Sequence, residues 1–226
     1  LYMTSSIDNA TILAYKKANK KINIKKNINN VIYVSENAKT DISLYDIILS
    51  VDGKDINNIK ELQDYIKTKN EGDIVYFKVI SNKKEVDRKA EVININGELK
   101  VGIAFLTTYE YETDPSITVK TKSSESGSSG GLMLSLAIYN AITKEDITKG
   151  KTIVGTGTID VLGNVGKIDG VKYKILGAVK NKADLFICPK DNYDEAMKIK
   201  KEHNLNINII SVETFDEAIN YLENNL

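Results

Sequence analysis

The stretch "SSESGSSGGLMLSLAIYNAI", from Ser123 to Ile142, joins a run of small polar residues to a dense apolar segment. Its first half has the composition of a flexible linker, which would normally lead into more low-complexity sequence. The second half, "LMLSLAIYNAI", is instead apolar nearly all round, as in a helix covered on every side. Gly127, Ser128, Ser129, Gly130 and Gly131 therefore fall at the N-terminus of a buried helix. Such a terminus presents unpaired N–H groups and the positive end of the helix dipole, and small side chains let another backbone come close. That setting suits the oxyanion of an acyl transfer with a serine hydroxyl beside it. It also suits a capping serine with glycines kept for packing.

A serine nucleophile needs a base. The one histidine, His203, sits in the polar run "KIKKEHN" and is expected on the surface of a charged helix, which disfavours a histidine triad. In "GVKYKILGAV", helical periodicity counted from Val171 puts Lys174, Ile175 and Ala178 on one stripe and leaves Lys172 and Lys180 off it. A lysine turned towards a core is a candidate base, because desolvation disfavours an ammonium group. The alternative is a packed stem with its charged head in water.

The 226 residues, 42% hydrophobic and 27% charged, suffice for one large domain or two small ones. Thirty-one basic residues balance 31 acidic ones, so no global charge draws the chain to nucleic acid or an anionic membrane. Cys188 is the only cysteine, which leaves no internal disulfide and no multi-cysteine zinc site. No metal and no cofactor is expected. No apolar run reaches the roughly 18 residues that a bilayer span requires.

Two short motifs suggest nucleotides and fail on inspection. "KGKT" at 149–152 would need a glycine where Glu145 stands, so the phosphate cradle is missing. "GTGTID" from Gly155 places Asp160 at the third glycine of a dinucleotide fingerprint, where a carboxylate would repel the pyrophosphate.

Along the chain, "LYMTSSI" is predicted as a short strand, with a helix next over "NATILAYKKANKK" capped by Asp8 or Asn9. "VIYV" at Val31–Val34 and "DIILSVDGKDI", with a turn at Gly53, give further strands. "NNIKELQDYIKTK" is predicted as a helix with an asparagine cap and Ile59, Leu62 and Ile66 on one face. "GDIVYFKVI" and "EVDRKAEVI" pair as a hairpin across "SNKK", and "LKVGIAFLT" closes the section. "TYEYETDPS", with Pro115, marks a junction. Beyond it, strands at "SITVKTK", "KTIVGTGTI", "ADLFICPK" and "NINIISV" alternate with helices, the order of an α/β layer.

At these residues the chain resembles the proteolytic domain of the Lon family, and within it the Lon-like proteases that carry a PDZ domain and no ATPase. The family pattern Gly-Pro-Ser-Ala-Gly before an apolar helix reads "GSSGGLMLSL" here. Ser129 falls on the nucleophile, with Ser128 in place of proline and Gly130 in place of alanine. The second block reads "GTGTIDVLGNVGKIDGVKYKILGA", in which Lys174 matches the base and Thr156 the threonine that hydrogen-bonds it. "YDIILSVDGKDINNIKELQDYI" resembles a PDZ domain, with Tyr45 where glycine commonly precedes the aspartate.

The resemblance implies an α/β (α+β) chain with three segments. An N-terminal strand and helix at 1–27 would be part of the protease sheet. A PDZ-like β-rich domain would occupy 28–107, and a Lon-type proteolytic domain 108–226. It implies an ATP-independent serine endopeptidase acting on flexible polypeptides through Ser129 and Lys174. Gly127, Ser128, Gly130 and Thr156 would support them, and N–H groups at the start of the next helix would hold the oxyanion. It further implies a bacterial protein with an extracytoplasmic catalytic part, a membrane anchor upstream of "LYMTSS", and possible homo-oligomers. No nucleic acid or nucleotide partner is expected. The rival expectation is a peptide-binding PDZ adaptor on an inactive protease-like domain.

Overall fold

A computed structural model describes residues 1–121 and 127–226. In chain order, helix α1 (Tyr2–Lys17) leads into strands β1 (Lys21–Val34), β2 (Ile47–Val51) and β3 (Lys54–Asp55), then helix α2 (Ile59–Ile66). Next come strands β4 (Ile74–Ser81), β5 (Lys84–Glu91), β6 (Ile93–Ile95), β7 (Glu98–Lys100) and β8 (Ile103–Asp114). The remainder is α3 (Gly131–Ile142), β9 (Ile153–Gly155), β10 (Thr158–Ile159), β11 (Val165–Gly166), α4 (Val171–Lys180), β12 (Leu185–Pro189), α5 (Tyr193–Glu202), β13 (Asn208–Val212) and α6 (Phe215–Asn225). Contacts divide the chain into two units. One holds Leu1 and Ile24–Tyr111; the other holds Tyr2–Asn23 and Glu112–Leu226, so the first is inserted into the second. None of the described helices is long and apolar enough to cross a membrane.

The inserted unit is a sheet in the order β5–β4–β2–β1–β8, with β3 on β2. Strand β4 alternates buried Val75, Phe77 and Val79 with exposed neighbours, which gives the sheet one core face, and Leu62 and Ile66 of α2 join that core. Helix α2 starts as its sequence requires: Asn58 Oδ1 accepts from Glu61 N–H at 3.0 Å, and Glu61 Oε2 reaches back to Asn57 N–H at 2.8 Å. The β4–β5 hairpin turns through Asn82 and Lys83, both at positive φ. Arg88, the chain's only arginine, brings Nε within 3.7 Å of buried Asp46.

The second unit is built on a parallel sheet in the order β13–β12–β9. All five residues of β12 are buried, as expected for a parallel strand covered on both faces. Leu185 and Ile187 join the core formed with α1, α3 and α6. Phe186 and Cys188 join the core formed with α4 and α5. The helices therefore sandwich the sheet, and loops at the ends of β9 and β12 can bring the two helical layers together.

Four expectations are corrected. "LYMTSSI" is not a strand of the protease sheet but part of α1, and Asp8 and Asn9 lie inside that helix instead of capping it. Small residues decide this: Ser6, Ala10 and Ala14 let α1 lie close against α3, and that packing overrides a weak local strand preference. The segment "ANKKINIKKNINN", assigned in part to a helix, contributes most of β1. "SITVKTK" forms no strand over its described residues 116–121. Ile117 and Val119 pack on the core, but the backbone finds no ladder partner there. "KTIVGTGTI" is two strands, β9 and β10, broken at Thr156–Gly157.

Candidate active site

The segment carrying the candidate nucleophile approaches from the α3 side of the sheet. Gly130 is the capping residue of α3, in αR geometry and without a side-chain cap bond. The hydroxyl of Ser129 is thus not spent on capping α3. Gly131 is required by a close approach: a Cβ there would stand 2.9 Å from Ile159 Cγ2, 3.0 Å from Ile159 N and 3.1 Å from Ser6 Oγ. A Cβ at Gly130 would meet nothing within 4 Å. Residues 122–126 of the Gly/Ser stretch lie outside the described residues.

The loop after β9 holds Ser129 by its carbonyl. Thr156 Oγ1 donates to Ser129 O at 2.9 Å and Gly157 N–H donates to the same oxygen at 2.8 Å. Gly157 O in turn accepts from Leu132 N–H at 3.0 Å. Thr156 is itself tied to the central strand, its N–H donating to Ile187 O at 2.9 Å. The tight fit explains the glycines that mimic a nucleotide fingerprint. A Cβ at Gly155 would stand 2.6 Å from Ile187 O, and one at Gly157 would stand 2.9 Å from Val165 Cγ1.

The candidate base comes from the opposite helical layer. In α4, Val171, Ile175 and Ala178 are buried and Lys174 is half-buried on the same stripe, while Lys172 and Lys180 are exposed. Lys174 Nζ donates to Ser129 Oγ at 3.1 Å. Ser129 is half-buried too, so the pair is reachable from solvent instead of sealed in the core.

Two assignments change. The hydroxyl of Thr156 acts on Ser129 O, not on Lys174, in the described hydrogen bonds. The N–H groups of Gly131 and Leu132, at the start of α3, are already engaged by Ser128 O and Gly157 O. The two N–H groups just upstream, of Ser129 and Gly130, have no acceptor among the described residues. Gly127, at φ +100, opens the described part of the loop, and Ser128 accepts from Gly131 N–H at 3.1 Å. Other nucleophiles and bases are poor candidates. Cys188 is fully buried and burial pushes its thiol up to about 11, and His203 is exposed at the end of α5.

The close approach expected at the small residues before α3 falls on Gly131, whereas sequence reasoning missed Gly157 as a determinant of this geometry. The spacing "GTG" was the visible signal, since closely approaching backbones demand glycine.

Comparison with known proteins finds two domain matches. Residues 119–224 match the Lon protease (S16) C-terminal proteolytic domain, and residues 6–92 match a PDZ domain. The second match begins inside α1, although α1 packs with the α/β unit, so the contacts give the better boundary. A Lon protease of Campylobacter jejuni is 32% identical over 96 residues, covering 42% of this chain and 12% of that protein. An archaeal Lon protease of Archaeoglobus fulgidus is 27% identical over 150 residues, covering 62% of this chain and 21% of that one. The match thus spans a small part of these longer relatives. The PDZ domain of an SdrC-like protein from Listeria monocytogenes aligns with 37% of this chain and 92% of its own, at 20% identity and a TM-score of 0.34.

Proposed function

We propose that this chain, which carries a Lon-type proteolytic domain and a PDZ domain, is a serine endopeptidase that cleaves flexible polypeptides with a Ser129–Lys174 dyad. The observation that carries the reading is the 3.1 Å contact between Lys174 Nζ and Ser129 Oγ, made by residues 45 apart in sequence. In its free-amine form Lys174 takes the proton from Ser129 Oγ as that oxygen attacks the scissile carbonyl. The N–H groups of Ser129 and Gly130 receive the oxyanion, held in place because Ser129 O is fixed by two donors. Collapse of the tetrahedral intermediate breaks the C–N bond, and the Lys174 ammonium returns the proton to the leaving amine. Water, deprotonated by the same amine, then frees the acyl-enzyme. No step in this cycle consumes a nucleotide.

The PDZ unit selects or presents the substrate in this reading. PDZ domains take up an extended polypeptide as an added strand, held through its main chain, with side-chain pockets giving selectivity.

The test is hydrolysis of an unfolded protein such as casein. Ser129→Ala and Lys174→Ala are each expected to abolish cleavage while leaving the thermal unfolding midpoint within a few degrees of the parent. Undiminished cleavage by either variant contradicts the dyad.

A further inference from the structure

Helix α4, like α3 and α5, begins without a side-chain cap bond. Asn58 caps α2 and Thr214 caps α6 through their side chains, whereas α4 is preceded by Gly170, at φ +74, with no side-chain cap bond. Lys174 is only one turn beyond this uncapped start. Something else must hold the segment in register with Ser129.

Asn192 does this. It is fully buried, and both ends of its amide are used on a single residue: Nδ2 donates to Ile168 O at 2.9 Å and Oδ1 accepts from Ile168 N–H at 2.9 Å. Ile168 is itself buried in the core shared by Val171, Ile175 and Ala178. From Ile168 the chain reaches Val171 through only Asp169 and Gly170. Asn192 closes the short 3₁₀ turn Lys190–Asn192 that directly succeeds β12.

Both members of the candidate dyad are therefore referred to the same strand. Ser129 is tied to Thr156 and Gly157, and Thr156 N–H is tied to Ile187 of β12. Lys174 is tied through Ile168 to Asn192, three residues past the end of β12. We propose that Asn192 is a positioning residue that sets the distance between Lys174 Nζ and Ser129 Oγ. It does not touch the reacting atoms. The proposal rests on the Ser129–Lys174 reading, and it extends that reading to a residue from a third segment.

Removing the amide leaves the Ile168 N–H and C=O buried without partners, and the start of α4 must shift to satisfy them. A displacement of about 1 Å at a reacting group costs on the order of a hundredfold in rate. The experiment measures kcat and KM for hydrolysis of a fluorogenic casein by the full chain at a temperature where each variant is folded. Asn192→Ala is expected to lower kcat at least tenfold with KM within twofold of the parent. Gly170→Ala perturbs the same segment without emptying a buried site, because its Cβ would meet only Tyr173 Cδ2 at 3.9 Å in a strained backbone. It is expected to show the same split, which keeps the test decisive if Asn192→Ala does not fold. Ile207→Ala, a cavity in the same core, controls for simple loss of stability and is expected to keep kcat.

If the parent is active, Ser129→Ala and Lys174→Ala are inactive, and both Asn192→Ala and Gly170→Ala keep kcat within twofold, the positioning role is overturned while the dyad stands. An equal loss in Ile207→Ala overturns it as well, by reducing the effect to stability. An inactive parent overturns the dyad and this proposal together.

Discussion

At Ser129 the decisive features are what its two oxygens do. The hydroxyl meets Lys174 Nζ and the carbonyl is held by Thr156 Oγ1 and Gly157 N–H. Thr156→Val keeps the shape of a buried side chain but removes one of those donors. It should cost about 1 kcal/mol of stability, the usual worth of one hydrogen bond, and lower cleavage by loosening the nucleophile. Casein hydrolysis set beside the unfolding midpoint measures both. The two glycines after Ser129 separate cleanly. Gly130→Ala has open space, so cleavage should persist, with a loss of up to about 1–2 kcal/mol of stability at the cap position. Gly131→Ala drives a Cβ into the backbone of Ile159 and should destabilise by about 1–3 kcal/mol and abolish cleavage. The small-residue helix start and the stripe carrying Lys174 were legible in short-range pattern, whereas the choice of Ser129 and Lys174 as a pair came from the family resemblance. The partner of Thr156 was not legible, because that bond joins residues 27 apart and depends on how β9 ends against α3.

Among the elements, α2 and the β4–β5 hairpin were set by local chemistry: an asparagine with a reciprocal glutamate, and two residues able to take positive φ. Helix α1 was not, since its helical state rests on packing against α3 and on Asn9 Nδ2 donating to Ile159 O, 150 residues away, at 3.1 Å. The β2–β3 turn carries a pH signature. Asp52 is pushed up by burial, but hydrogen bonds from Tyr76 N–H, Tyr65 and Lys69 outweigh that and hold its carboxyl below the ordinary value of 3.8. Because its folded pKa lies below the unfolded one, the carboxylate stabilises the fold above the unfolded value. That contribution is lost as pH falls through the folded value. Asp52→Asn should therefore lower the stability of the inserted unit at pH 7, and the gap between urea melts of parent and variant should begin to narrow as pH falls to about 4 and close only below the lowered folded value. A gap that stays constant with pH would contradict this assignment.

For the whole molecule, the change of character after residue 107 told of two units, and the alternation of strands and helices told of the α/β layer. The grouping of the N-terminal segment with the C-terminal unit was implied by the resemblance and not by local pattern, because membership is settled by contacts with α3 and β10, far along the chain. The consequence is that the inserted unit is a loop of the second unit in the topological sense, with both members of the candidate dyad on the Glu112–Leu226 side of the insertion. The Ser129–Lys174 contact joins segments from the two helical layers that cover the β13–β12–β9 sheet. The direct measurement is covalent labelling of the native chain by a serine-directed phosphonate, with peptide mapping of the product. One equivalent on Ser129 is expected, with Lys174→Ala labelled about a hundredfold or more slowly, the usual share of a general base. A parent chain that takes no label while still binding peptides, or a Lys174→Ala variant labelled at the parental rate, would contradict the account.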